Sequence, residues 1–578
     1  MELAPLRMRR IGLFILFLVV SLVALKVTVD LVRMLLLVST SPVNGDATGY
    51  ATVARAMLNG FKPYVEMELT KPPGIFLLLA ASLALTGGEI LATWVQMATY
   101  VLFPLLCVFF TYSLCHRLRS LQAGILIGAA FIAGTLLVLY TEERGGALQP
   151  EGFGYFFSMA YAALLLRTGL RSRVSIAAAS LMLLCSIGMK EPFLFINLAI
   201  ALLLTPSWRD FPRTFVLPLL IAGLVGVISL LAFGLLGPYL TVQLPNMVTF
   251  RIQEMGEWNP MWFRPLRTMR IFADLVEFNP TGRFTGWLII FLWLSAPLLL
   301  FREERRPLPV VLAWVAVFSS LYLSTILYVF LYIRGNAPDH FLILTSRDYA
   351  WLVACVVAFG GIALLRWRLI PWIFFTFLAL YLTLFTMGVG IAYHPNFFAF
   401  AVPVYGALLL LWLRSVAIHD APRLVTAGML ALVIAGGVFY RQNPRHVNDF
   451  PKLTSGNAAA SREDADRLDA FLDDCGIDRY VPVGSGGRGF SFAKHSPWGP
   501  VVSVNVHKFF TADNPYVIKS LENVTDRTKI IMYDEAELAT RPVLLAAWSV
   551  IQERFTEEVP DCAKPHMPFY DLKVLFRK

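Results

Sequence analysis

The sequence predicts an α-helical polytopic membrane protein ending in a soluble α/β domain, and three observations carry that reading. Apolar residues make up 57% of the chain and charged residues 15%, with a mean hydropathy of +0.64, which lies outside the range of soluble domains. The apolar residues fall in repeated runs of about 18 or more, the length that crosses a bilayer. Every second loop between those runs holds a cluster of Arg, the bias of cytoplasmic loops. The net charge of +10 follows from these clusters, and no nucleic-acid partner is expected.

Arg7, Arg9 and Arg10 precede the first apolar run, residues 10 to 38. It reads as a span and not as a cleaved signal, because no small-residue cleavage site follows it. The polar loop from Asn44 to Phe76, NGDATGYATVARAMLNGFKPYVEMELTKPPGIF, comes next. The apolar run after Lys71 stops at Gly87 and Gly88, too short to cross, and is expected to be a helix on the outer surface. Span two covers residues 90 to 114 and returns to Arg117 and Arg119. Span three ends near Tyr140, and span four leads from Glu151 to Arg167. Spans five and six form a hairpin with its outward tip at Gly188, Met189, Lys190, Glu191 and Pro192. Span seven ends around Gly237, and a Trp-, Arg- and Pro-rich outward segment, 238 to 283, follows. Continuing the alternation to Tyr440 gives about thirteen spans, a cytoplasmic N-terminus and a C-terminus outside.

From residue 441 the composition becomes that of a soluble domain. SREDADRLDAFLDDCG reads as an amphipathic helix with Ser461 as its cap, RYVPV and TKIIMYD as strands, VLLAAWSVIQERF as a helix and FYDLKVLF as a last strand. Of six cysteines, Cys107, Cys115, Cys185 and Cys355 lie in or beside spans. Cys475 and Cys562 fall in this tail and are a disulfide candidate if it lies outside the cytoplasm. Gly484, Gly486 and Gly489 satisfy a dinucleotide spacing after a strand, but no helix follows, so a loop is the better reading.

The chemistry-bearing residues gather in the outward loops. Asp46 and Tyr50 stand four apart and share a helix face, and Lys71 precedes the Pro72, Pro73, Gly74 break. A carboxylate placed there takes a proton from a hydroxyl nucleophile, and an ammonium holds a phosphate leaving group. Glu151 opens a span, as a substrate contact or as a partner of the helix dipole. In RGNAPDHF, Arg334 is suited to clamp a phosphate bidentately and His340 to orient a hydroxyl.

The loop pattern of Asp46, Tyr50, Gly60 and Lys71 with Pro72 resembles the first outward loop of the GT-C superfamily of polyprenyl-phosphate-sugar-dependent glycosyltransferases. The likeness is to its bacterial branch, related to protein O-mannosyltransferases and the lipid A aminoarabinose transferase. Where many relatives continue with a second acid, this chain has Ala47. The resemblance covers the first 440 residues. It implies a GT-C transmembrane catalytic domain, 1–440, with outward loops 40–90 and 238–283, followed by an extracytoplasmic α/β domain, 441–578.

It further implies Asp46 as the catalytic carboxylate that deprotonates or orients the acceptor hydroxyl, and a donor-phosphate role for Lys71, for Lys190 at its hairpin tip, and for Arg251 and Arg334, with Arg264, Arg267 and Arg270 competing for the place of Arg251. Tyr50, Glu151 and His340 would contact substrate. The implied reaction moves a sugar, with inversion, from an undecaprenyl or decaprenyl phosphate donor to a lipid, cell-wall glycan or protein acceptor on the outer face of a bacterial cytoplasmic membrane. Membrane lipids are the other partner. No cofactor is expected; a divalent cation held by Glu66, Glu68 and Glu151 is the alternative.

A transporter or flippase for a lipid-linked or anionic substrate is the rival reading. Transporters place their sites near the bilayer midplane, often between repeated halves. Here the polar residues sit in outward loops and no repeat is visible.

Overall fold

The computed structural model describes residues 45–64, 66, 71–86, isolated helical positions between 102 and 113, 150–191, 193–205, 208–244, 457–483, 493–497, 528–533, 535, 548–549, 551–567 and 572–578. The expected spans one, three and eight to thirteen lie outside these residues.

Helix α1, Gly45–Leu58, is Ala-rich, and Ala51, Val53, Ala54 and Ala56 are buried. Such small side chains let a neighbouring helix come close. The helix stops at Asn59 and Gly60. Gly60 has φ +89, and the N–H groups of Gly60 and Phe61 return to Met57 and Ala56 at 3.1 and 3.0 Å. This is the left-handed termination that favours glycine. Helix α2, Gly74–Thr86, follows Pro72 and Pro73. Its 13 residues span about 20 Å, short of the roughly 30 Å of a bilayer core.

Helix α3, Pro150–Thr168, and helix α4, Arg173–Met189, form an antiparallel pair. Between them Ser172 accepts from the Ser175 N–H at 3.1 Å, and Ser175 accepts in return from the Ser172 N–H at 3.2 Å, a reciprocal cap that opens α4. Helix α5, Phe193–Leu204, is the returning arm. It was expected to be a full span, yet its 12 residues reach about 18 Å. Pro206 follows, and the residue ahead of a proline is pushed out of helical conformation.

A π turn at Pro212–Val216 runs into helix α6, Leu217–Ala232. Among the described residues this continuous stretch, Pro212–Ala232, is the one helix long and apolar enough to cross a membrane, with 21 residues and a hydropathy of 2.6. Leu220, Leu224, Ile228 and Leu231 on it are exposed. The Tyr161 hydroxyl ties α3 to its start by donating to the Thr214 carbonyl at 2.7 Å. Beyond α6, a short helical stretch at Leu236–Pro238 runs into a π turn at Tyr239–Gln243.

Among the described residues the tail forms a four-stranded mixed sheet backed by helix α7, Asn457–Asp474. Strands β1, Tyr480–Val483, and β2, Ile530–Tyr533, are parallel; β4, Lys573–Arg577, is antiparallel to β2 and to β3, Phe555–Thr556. The order is β1-β2-β4-β3. Ser461 is not the cap of α7, because the helix begins four residues earlier. Ala458, Ala459 and Ala460 are the strongest helix formers and extend it towards the N-terminus. The expected helix over 543–555 is helical at the described positions 548–549 and 551–554, and Phe555 already belongs to β3.

Both faces of the sheet are covered. Tyr480, Ile530, Met532, Val574 and Phe576 face Leu468, Phe471 and Leu472 of α7. Val481, Ile531, Tyr533 and Leu575 pack with Ile551, Phe555 and Trp548. A disulfide joins Cys475, just past α7, to Cys562, with Cα atoms 5.4 Å apart. The segment 484–492, which holds the three spaced glycines, lies outside the described residues.

Candidate functional site

One apolar cluster joins residues that are far apart in the chain. Val53, Ala54 and Ala56 of α1 pack with Ile75, Phe76, Leu79, Ala80 and Leu83 of α2, with Phe153 near the start of α3, and with Met189 at the end of α4; Tyr239 joins from the segment beyond α6. The cluster therefore gathers the first loop, the start of α3, the tip of the α4–α5 hairpin and the turn that follows α6. These are the places where the sequence puts Asp46, Lys71, Glu151 and Lys190.

Asp46 is the second residue of α1, one helical turn before Tyr50. Its side chain lies outside the described residues, as does that of Glu151, the second residue of α3. The Tyr50 ring stands edge-on to Phe76, with centroids 5.8 Å apart, so the first turns of α1 lie against the first turn of α2. Lys71 is half-buried just ahead of α2.

Lys190 ends α4 in extended conformation, φ −162 and ψ 132, with its N–H donating to the Ser186 carbonyl. It is 3% exposed. Burial of an ammonium is costly unless it is paired.

The segments that carry the two lysines meet by backbone contact. A Cβ added to Gly74 would lie 2.3 Å from the Gly188 carbonyl oxygen, so the start of α2 touches the end of α4. Lys71 and Lys190 flank that crossing. The starts of α3 and α5 meet as closely, since a Cβ on Gly154 would overlap the Phe193 ring at 2.1 Å.

Three polar residues beside the lysines were not singled out for substrate contact by sequence reasoning. Tyr64 is 2% exposed with φ +64, a conformation that non-glycine residues rarely adopt. Its hydroxyl donates to the Lys71 carbonyl at 3.0 Å. Its ring meets that of Tyr239 edge to face at 5.8 Å. The Glu191 carboxylate lies near enough to act on the Tyr239 phenol. Burial pushes the Tyr64 phenol up, helped by Tyr239 and the Glu191 charge; burial likewise raises Tyr239, followed by Glu191. Both therefore remain hydrogen-bond donors. The sequence signals were a lone aromatic between Phe61 and Phe76, and a Tyr straight after Gly237 and Pro238.

The tail touches this assembly. Asn59, at the end of α1, donates to the Lys494 carbonyl at 3.1 Å and to the Ser496 hydroxyl at 2.8 Å. Asp469 of α7 holds the receiving turn, accepting from the Lys494 and His495 N–H groups at 2.7 and 3.0 Å and from His495 Nδ1 at 2.9 Å. Phe61 packs against both the first-loop cluster and the second face of the tail sheet.

Glu66 accepts from the Lys62 N–H at 2.8 Å, closing a local turn. Among the described residues, no three His, Cys, Asp or Glu come together as metal ligands. Glu68, Arg251, Arg264, Arg267, Arg270, Arg334 and His340 lie outside the described residues.

No family model matches the chain, and no curated protein matches it by sequence. Among solved structures it is similar to ArnT from Cupriavidus metallidurans in the apo state, at 14% identity over 96% of this chain and 97% of that one, with a TM-score of 0.39.

Proposed function

We propose that the chain is an integral-membrane glycosyltransferase of GT-C type that moves a sugar from a polyprenyl phosphate to an acceptor hydroxyl on the outer face of a bacterial cytoplasmic membrane. The observation that carries this reading is the single cluster around Tyr64, Phe76, Phe153, Met189 and Tyr239, which draws the acid-bearing and lysine-bearing segments to one place. The loop pattern of Asp46, Tyr50, Gly60 and Lys71 supplies the family.

In this reaction Asp46 accepts the proton of the acceptor hydroxyl. The oxygen attacks the anomeric carbon from the face opposite the phosphate, the bond from that carbon to the phosphate oxygen breaks, and the electron pair leaves with polyprenyl phosphate. The configuration inverts. The phosphate gains a negative charge as it leaves, and Lys71 and Lys190, joined by Arg251 or Arg334, stabilise it. Tyr50, Glu151 and His340 orient the substrates. The exposed apolar surface of α6 faces lipid, and the disulfide suits a tail in an oxidising compartment. By its contacts with Asn59 and Phe61, the tail covers the first loop from outside and selects the acceptor.

Transfer of radiolabelled sugar from a panel of polyprenyl-phosphate sugars into a membrane extract tests the reading. Label incorporated by wild type and lost in Asp46→Asn is the expected result. Equal label in both removes Asp46 as the base, and lipid movement without transfer favours the transporter.

A further inference from the structure

Tyr64 combines three features that packing alone does not require. It holds a left-handed backbone conformation, which is strained for a side chain of its size. It is almost wholly buried in a polar stretch. Its hydroxyl is spent on the carbonyl of Lys71. Strain of this kind persists only where the surroundings over-determine it, and it collects at functional sites.

Those surroundings form a relay across three segments. The Tyr64 ring rests on Tyr239, Tyr239 packs in the same apolar cluster as Met189, and the Glu191 charge acts on both phenols from its place next to Lys190. Tyr64 therefore sets the backbone of one lysine, while Glu191 and Tyr239 brace the segment bearing the other. The Gly74–Gly188 contact fixes the distance between the two segments.

We propose that Tyr64, Tyr239 and Glu191 are positioning residues that set Lys71 and Lys190 around one phosphate, and that they do so most strongly for the dianionic lipid phosphate left after transfer. This rests on the transferase reading. A donor phosphodiester carries one negative charge and the released lipid phosphomonoester carries up to two, so a pair of lysines held in register favours the second. The same bias stabilises the charge that develops as the bond breaks.

The test uses the full-length chain in detergent, with decaprenyl phosphate and uncharged decaprenol as probes, read by a shift in tryptophan fluorescence. Wild type is expected to bind the phosphate at least tenfold more tightly than the alcohol. Tyr64→Phe keeps the ring and removes the hydroxyl. It is expected to weaken decaprenyl phosphate about tenfold, equivalent to about 1.4 kcal/mol, leave decaprenol unchanged, and raise the donor KM more than it lowers kcat. Tyr239→Phe and Glu191→Gln should show the same selective loss, and either serves if Tyr64→Phe does not fold.

Phosphate affinity equal to wild type in the folded variants overturns the positioning role and leaves the transferase reading standing. Parallel loss of phosphate and alcohol overturns it too, because that is damage to the lipid groove. Wild type that does not distinguish phosphate from alcohol sinks the transferase reading itself.

Discussion

Gly74 and Gly188 meet backbone to backbone, so that a Cβ on Gly74 would stand 2.3 Å from the Gly188 carbonyl oxygen, whereas one on Gly188 would meet nothing nearer than the Gly74 Cα at 4.0 Å. The contact is therefore asymmetric. Gly74→Ala pushes α2 away from α4 and is expected to cost about 1–3 kcal/mol, with a loss of donor affinity as the lysine-bearing ends separate. Gly188→Ala is expected to be near neutral at that contact. Thermal melting and donor KM of the two variants check the pair.

The tail is held to the first loop by Asn59 and Phe61. Phe61→Ala removes a ring shared by two clusters and is expected to weaken docking by about 1–3 kcal/mol. Asn59→Ala removes two hydrogen bonds, each worth about 0.5–1.5 kcal/mol. Amide hydrogen exchange in segment 493–497 should rise in both variants, while exchange in β2 and β4 stays protected. Protection unchanged at 493–497 would show that other contacts hold the tail.

The Cys475–Cys562 bond closes a separation of 87 residues. Replacing both cysteines with Ser is expected to destabilise the tail by about 2–5 kcal/mol and to leave α1 to α6 unaffected. Thermal melting of oxidised, reduced and doubly substituted protein checks this, with the reduced and substituted forms coinciding.

Alkaline pH should act on the two buried phenols. Their folded-state pKa values lie above the ordinary value of 10.0, so the folded state holds these protons more tightly than the unfolded state. The stability they contribute is complete below about pH 10 and is lost as pH rises beyond it. Between about pH 9 and about pH 11 the wild type should lose more stability than the Tyr64→Phe, Tyr239→Phe double variant. Equal losses would place the alkaline sensitivity elsewhere.

The sequence by itself determined the local features. The Asp46–Tyr50 spacing, the break at Pro72 and Pro73, the hairpin tip at Lys190 and the core strands of the tail all follow from periodicity, from proline and glycine chemistry and from composition, and each acts over a few residues. It misplaced the start of α7, because Ser461 looked like a cap while the alanines before it extended the helix. It also read a full span into α5, whose helix stops ahead of Pro206.

Only the tertiary structure decided which segments meet. The contact of Gly74 with Gly188, the use of the Tyr64 hydroxyl on Lys71 within a left-handed turn, the approach of Tyr239 to Glu191 and the docking of the tail on Asn59 and Phe61 join residues up to several hundred positions apart. One-dimensional pattern carries no record of such pairings, because they depend on how rigid helices pack in space and on which backbone and polar groups find partners when they do.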